Sequence, residues 1–468
     1  AAFEAMFEVG VDEMRWDDLY EGKQHVWPSV AEVAAYRKQV YDVIVDIIEN
    51  HPFLNDDHLP ITQDSPMWAL VMGFEHERIH LETSSVLIRE LPLDYLRVPE
   101  AWPALAPSQA NMLPAQMIER AASVVQLGKP YDFPSFGWDN EYGSEARTVR
   151  AFEASDTLIT NAKFLEFVKA GGYTDERYWS REGWGWRRFR NIKWPTFWVQ
   201  NGPAGSHLYK LRTIFELVDL PLDWPVSVNY HEAKAYCAWR TELEASPIPY
   251  RLLTEGEHNA IRDERTRDAV MEQAIPTANF GWRYGSESGV RAQPANAKGF
   301  HDVFGNLWQW CEDHFHPFQG AKPHPYYDDF SAPCYDGEHQ MILGGSFASA
   351  GDLASIWARF HFRPHFFQQA GFRIARHTDG NPASSAKLLQ NSGAATYESN
   401  EMLNKYLLMH WGSDAEIFEN VPVESTNFPN IVHLPKTCAD LVMRHSGALD
   451  SALDLGCAVG RSSFELSR

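Results

Sequence analysis

The chain has 468 residues, 44% of them hydrophobic and 22% charged, with 41 basic side chains against 63 acidic ones and a net charge of −22. That composition excludes a disordered chain, and the negative balance repels phosphate backbones, so nucleic acid is not an expected partner. No apolar run approaches the ~20 residues that cross a bilayer, so no membrane is expected. Five scattered cysteines, Cys237, Cys311, Cys334, Cys438 and Cys457, suit a reducing cytoplasm better than a disulfide framework.

Taken in chain order, residues 1–128 read as a helical bundle, incomplete at its front. Val33, Tyr36, Val40, Ile44 and Ile47 recur at helical spacing across 30–49, and a second amphipathic helix spans Met67 to Arg89. Met112 to Val125 is a weaker third helix. Residues 129–378 change texture, with short apolar runs broken by Gly, Pro, Asn and Trp; this predicts an α+β domain with long ordered loops. Helices are expected there at Asn161–Ala170 and Tyr230–Glu244. Residues 379–428 read as a small-residue linker and a short helix, and 429–468 as the first strand and Gly-rich turn of an α/β nucleotide-binding domain. The chain is expected to be cut at both ends.

The sharpest local signal is FEHERIHLE. His76 and His80 are four residues apart, so a helix points both imidazoles the same way, as a divalent metal needs. Glu75 and Glu82 are close enough in sequence to orient them. Two surface histidines on a charged helix is the plainer alternative. The same residues spell H-E-x-x-H, with Glu77 as a protease base, but Thr83 and Val86 stand where that pattern wants Gly and His.

In the middle domain, Arg251-Leu-Leu-Thr-Glu-Gly-Glu-His258, Gly305-Asn-Leu-Trp-Gln-Trp310, Leu343-Gly-Gly-Ser-Phe347 and Gly371-Phe-Arg373 follow one another over about 120 residues. In that order they resemble the formylglycine-generating-enzyme family, which implies a C-type-lectin-like fold. The family's copper-binding cysteine pair has no match here, so formylglycine formation is not implied. A helical bundle with H-x-x-x-H ahead of this domain resembles the sulfoxide synthases of ergothioneine and ovothiol synthesis. The segments VGVDEMRWDDL, HPYYDDFS, GEHQMILGGSF and WARFHFRPHFFQQAGFR resemble the ovothiol branch. LDLGCAVGRS resembles the first loop of the S-adenosylmethionine methyltransferase which that branch carries.

The resemblance implies a DinB-like bundle, a lectin-like domain and the start of a methyltransferase. It also implies Fe(II) as cofactor, O2 as co-substrate, and oxidative coupling of L-cysteine to L-histidine. Iron would be held by His76 and His80 plus a third histidine expected upstream, since His25, His51 and His58 are poor substitutes. A steering tyrosine would be Tyr326 or Tyr327. Arg359, His361 and Arg363 alternate in a strand-like run and share one face, where an Arg fork suits a carboxylate. Asn306, Trp308 and Gln309 are candidates for the same pocket, and Asp12 and Arg15 for the sulfur substrate. Asp454, Gly456 and Gly460 would approach S-adenosylmethionine. Solvated surface or internal salt bridges are the alternative for the substrate-site residues, and a structural pair in a polar loop for the tyrosines. The rival functions are an ergothioneine-type enzyme acting on trimethylhistidine, a non-catalytic lectin-like binding module, and a zinc protease.

Overall fold

The computed structural model describes residues 28–55, 58–109, 113–263, 277–389, 407, 410–411, 413 and 434–446. Two long helices come first, α1 (Val30–Asn50) and α2 (Trp68–Glu90). Then follow β1 (Met117–Arg120), β2 (Ser123–Leu127), β3 (Glu145–Val149), β4 (Phe152–Ser155), α3 (Asn161–Lys169) and α4 (Arg181–Phe189). Next are β5 (Trp198–Gln200), β6 (Tyr209–Arg212), β7 (Leu217–Asp219), α5 (Tyr230–Leu243) and α6 (Glu255–Ala260). The series ends with β8 (Trp308–His314), β9 (Gln340–Leu343), β10 (Arg359–Phe362), β11 (Ala370–Gly371), β12 (Ala375–His377) and α7 (Leu434–Ser446).

The strands form four small sheets, ordered β1-β4-β12, β10-β9-β8-β11, β2-β3 and β5-β6-β7. The central one is antiparallel at β10–β9 and β9–β8 and parallel at β8–β11, so the chain's last strands close back on its middle. Long loops between them carry tight turns that need positive φ. Asn306 adopts φ 69°, and its amide spans Ser288 and Asp302, which offsets the cost of that conformation.

Helix starts follow local chemistry. Ser29 and Glu32 make a capping box at α1, Asn229 and Glu232 at α5, and Thr254 and Glu257 at α6. Helix α1 covers its predicted apolar stripe only in part and has no buried residue. The described residues thus show two long helices ahead of the sheets, not a complete bundle. The helix expected at Met112–Val125 is instead β1 and β2. Pro114 stands at its start, and pairing of β1 with β4 and β2 with β3 overrides the helical reading. Of the predicted linker helix only Leu407, His410 and Trp411 are described, and they are helical; the Gly-rich turn lies outside the described residues.

A core of Trp, Phe and Tyr side chains, including Trp224, Trp310, Phe164, Tyr236 and Phe372, joins α3 and α5 to the central sheet. Helix α2 contributes Trp68, Ile79 and Val86 to the same core, so it is an integral wall of the domain.

Candidate functional site

Four side chains on one face of α2 fasten it to the α+β domain. The Glu82 carboxyl is fully buried and accepts from Trp308 Nε1 (2.7 Å), Ser346 Oγ (2.5 Å) and Ser349 Oγ (2.8 Å). Ser85 accepts from Gln369 Nε2 at 3.0 Å. Arg89 donates to Gln369 Oε1 and Arg212 O, pairs with Glu287 at 3.1 Å, and lies 4.0 Å over the Phe197 ring. Glu75 accepts from Asp352 N at 2.9 Å and pairs with Arg78. Burial raises the pKa of Glu82, against the lowering pull of its three donors, and pushes Glu75 up to about 7. Both carboxyls are thus committed to docking, which corrects the expectation that they orient the histidines.

The histidines occupy the neighbouring face. His76 is half-buried and His80 exposed, with ring centroids 4.5 Å apart and planes at 87°. Burial and the neighbouring His80 lower the His76 pKa, favouring the neutral imidazole that binds metals. Among the described residues, no group of three potential ligands includes either histidine. His51 and His58 are instead gathered around Phe53.

The loop containing Tyr326 and Tyr327 comes up against this face. His324 anchors it, stacking on Trp68 at the start of α2 with a 3.5 Å ring separation and contacting Gln63 O at 3.1 Å. Trp138 stacks on Phe330 at 4.0 Å and closes the far side. Between these anchors the Tyr327 ring lies 5.9 Å from the His76 ring, whereas Tyr326 is 63% exposed. The two tyrosines, equivalent in sequence, are therefore separated by position.

A narrow cleft runs beside α2 between Ile79, Glu82, Thr83, Trp308, Leu353, Phe360, Phe362 and Gln368. Trp308 offers it a ring, because its Nε1 is held by Glu82, and stacks near Phe360 at 6.3 Å. A second, larger cleft, lined by Asp223, Arg291, Lys163 and others, contains none of the predicted site residues.

Strand parity corrects the other pocket candidates. Arg359 and His361 do alternate with Phe360 and Phe362 along β10, Arg363 lying one residue past its end, but Phe360 and Phe362 take the face toward α2. Arg359 is buried in an ion pair with Glu255 (2.7 Å) and donates to Asn140 O and His316 O. Arg363 pairs with Glu338, and His361 stacks on Phe315 at 4.1 Å. Gln309, one residue on from Trp308, points the other way, donating to Asp302 O and Val303 O and accepting from Arg373. Asn306 is spent on its own turn, as described. Asp12, Arg15, Asp454, Gly456 and Gly460 lie outside the described residues.

Sequence reasoning missed the docking role of Glu82, Ser346 and Ser349, and the anchoring of the tyrosine loop by His324. Partners for Glu82 more than 220 positions away leave no local signal.

Comparison with known proteins gives a match to the sulfatase-modifying factor enzyme 1-like domain over residues 105–378. The chain is 27% identical over 384 residues to a hercynine oxygenase of Mycolicibacterium thermoresistibile, covering 74% of this chain and 80% of that protein. It is 30% identical over 214 residues to the hercynine oxygenase of Mycobacterium tuberculosis, covering 45% and 48%. It is 27% identical over 247 residues to ergothioneine biosynthesis protein 1 of Schizosaccharomyces pombe, covering 51% of this chain and 26% of that one. No helix among the described residues is long and apolar enough to cross a membrane.

Proposed function

The chain belongs to the sulfatase-modifying factor enzyme 1-like domain family, and from that premise we propose that it is an iron- and oxygen-dependent sulfoxide synthase. It joins the sulfur of a cysteine-type thiol to the imidazole carbon of a histidine-type acceptor. The observation that carries this reading is the convergence of His76, His80 and Tyr327 on one face of a helix locked to the lectin-like domain.

His76 and His80 would hold the iron, with further ligands from outside the described residues. Iron of this kind supplies a place to bind a thiolate and to activate O2. The protein's own side chains do the rest. Helix α2 is fixed by Glu75, Glu82, Ser85 and Arg89, so the imidazoles are held in place before substrates arrive. Trp308, Phe360 and Phe362 line a narrow apolar crevice beside the same helix. Holding both substrates together makes bond formation effectively intramolecular, potentially worth about 7–11 kcal/mol. The Tyr327 phenol, beside His76, donates a hydrogen bond or proton on the reacting side. The balance is one thiol S–H and one imidazole C–H exchanged for a C–S bond and an S=O bond, with one O2 consumed and one water released.

The relatives' names support trimethylhistidine, that is hercynine, as acceptor. The ovothiol-like segments, HPYYDDFS among them, support plain L-histidine with L-cysteine. Offering the iron-loaded protein both acceptors in equal amounts and weighing the sulfoxides by mass spectrometry separates the two. A single sulfoxide assigns the acceptor; absence of any sulfoxide removes the whole reading.

A further inference from the structure

A buried cluster unused by the reaction above lies further along the loop that carries Tyr327. Cys334 closes a turn at Ala332–Cys334, His339 immediately precedes β9, and His361 sits on β10 opposite Met341 of β9. One ligand atom from each, the Cys334 sulfur and a ring nitrogen of either histidine, lies within 4.8 Å of the other two. Around a tetrahedral zinc-sized ion, metal–sulfur and metal–nitrogen distances of about 2.3 and 2.0–2.1 Å place such atoms about 3.3–3.6 Å apart. A small inward shift of side chains therefore closes the cluster on an ion.

Three further observations point the same way. Asp336 holds His339, with its carboxylate oxygens 3.0 and 3.1 Å from Nδ1, as carboxylates do behind zinc-binding histidines. The buried Nδ1 of His361 has no hydrogen-bond partner among the described residues, a cost that a ligand would remove. Cys334 and His339 are only 5% and 2% exposed, so this is an interior site and not a chance surface grouping. Thiolate with two imidazoles is a donor set that suits zinc.

We propose that Cys334, His339 and His361 form a structural zinc site, separate from the His76–His80 pair, that clips the Tyr327 loop to β10. On binding, the Cys334 thiol releases its proton to solvent and water completes the tetrahedron; the site performs no redox step. Because it does not depend on the catalytic reading, its failure and the failure of that reading are distinguishable.

The test titrates chelator-stripped protein with Co2+ and records the absorption spectrum. A thiolate-to-cobalt charge-transfer band with intense tetrahedral d–d bands is expected at one equivalent, displaced by Zn2+ and retained in the His76→Ala/His80→Ala double variant. Cys334→Ser should lose the charge-transfer band. His361→Asn should weaken Co2+ binding at least about tenfold while keeping the band at saturation, which covers the case where Cys334→Ser does not fold. Absence of the band in the unsubstituted protein, or its full retention in Cys334→Ser, overturns the proposal.

Discussion

The Tyr327 ring lies 5.9 Å from the His76 ring, with the planes inclined at 72°. The two residues are about 250 positions apart, and their contact lies between two anchors of the loop, His324 stacked on Trp68 and Phe330 stacked on Trp138. Tyr327→Phe should therefore shift turnover from sulfoxide toward plain thiol oxidation, with coupling falling about 100-fold. Tyr326→Phe, altering an exposed ring, should leave the product ratio unchanged. Product ratios by mass spectrometry check both, and equal behaviour of the two variants would remove Tyr327 from the site.

Docking of α2 depends on a carboxyl with three donors. Glu82→Ala strands Trp308 Nε1 and the hydroxyls of Ser346 and Ser349 in the interior, and should cost about 3 kcal/mol or more. Glu82→Gln keeps one acceptor oxygen and should cost less. Chemical denaturation measures the difference; a loss below about 1 kcal/mol for Glu82→Ala would mean that the helix is held elsewhere.

Glu75 makes that docking pH-sensitive. Burial pushes its carboxyl up to about 7 in the folded protein from 4.5, against the pull of the Asp352 amide and Arg78. A raised folded value means folding takes up a proton. The contribution is therefore fully present below about 4.5 and lost as pH rises through about 7, on the order of 3 kcal/mol in all. Melting temperatures of the native protein and Glu75→Gln should diverge across that window, the native form losing more as pH rises. Parallel curves would contradict the assignment.

Arg359 is expected to matter for folding and not for substrate. Its guanidinium neutralises buried Glu255, whose carboxyl is held down to about 2 mainly by Arg359, His316 and Arg147 against the effect of burial. Arg359→Met leaves that carboxylate short of a partner and should cost about 3–5 kcal/mol. Variant protein that folds should keep the native KM for both substrates; a raised KM with unchanged stability would return Arg359 to the pocket.

How much of this was legible in the sequence depends on the range of the interaction. The His76–His80 pair follows from helical spacing alone, and helices α2, α3 and α5 begin and end within a residue of expectation. Period-2 alternation grouped Arg359, His361 and Arg363, of which Arg359 and His361 fall in β10, but parity cannot say which face meets α2. The same ambiguity misplaced Gln309 beside Trp308. Residues 112–125 read as helix because β1 is specified by its partner β4, more than 30 positions on. The Cys334–His339–His361 cluster carries a faint signal, a cysteine and a histidine five apart, and needs the β9–β10 register to gain its third member.

The measurement that bears most directly on the account is sulfoxide formation when O2 is admitted to the Fe(II)-loaded protein holding cysteine and its acceptor, run beside His76→Ala. The account predicts one sulfoxide per O2 consumed in the native protein and none in the variant. Equal product from both, or O2 uptake by iron-replete native protein without any carbon–sulfur product, would contradict it.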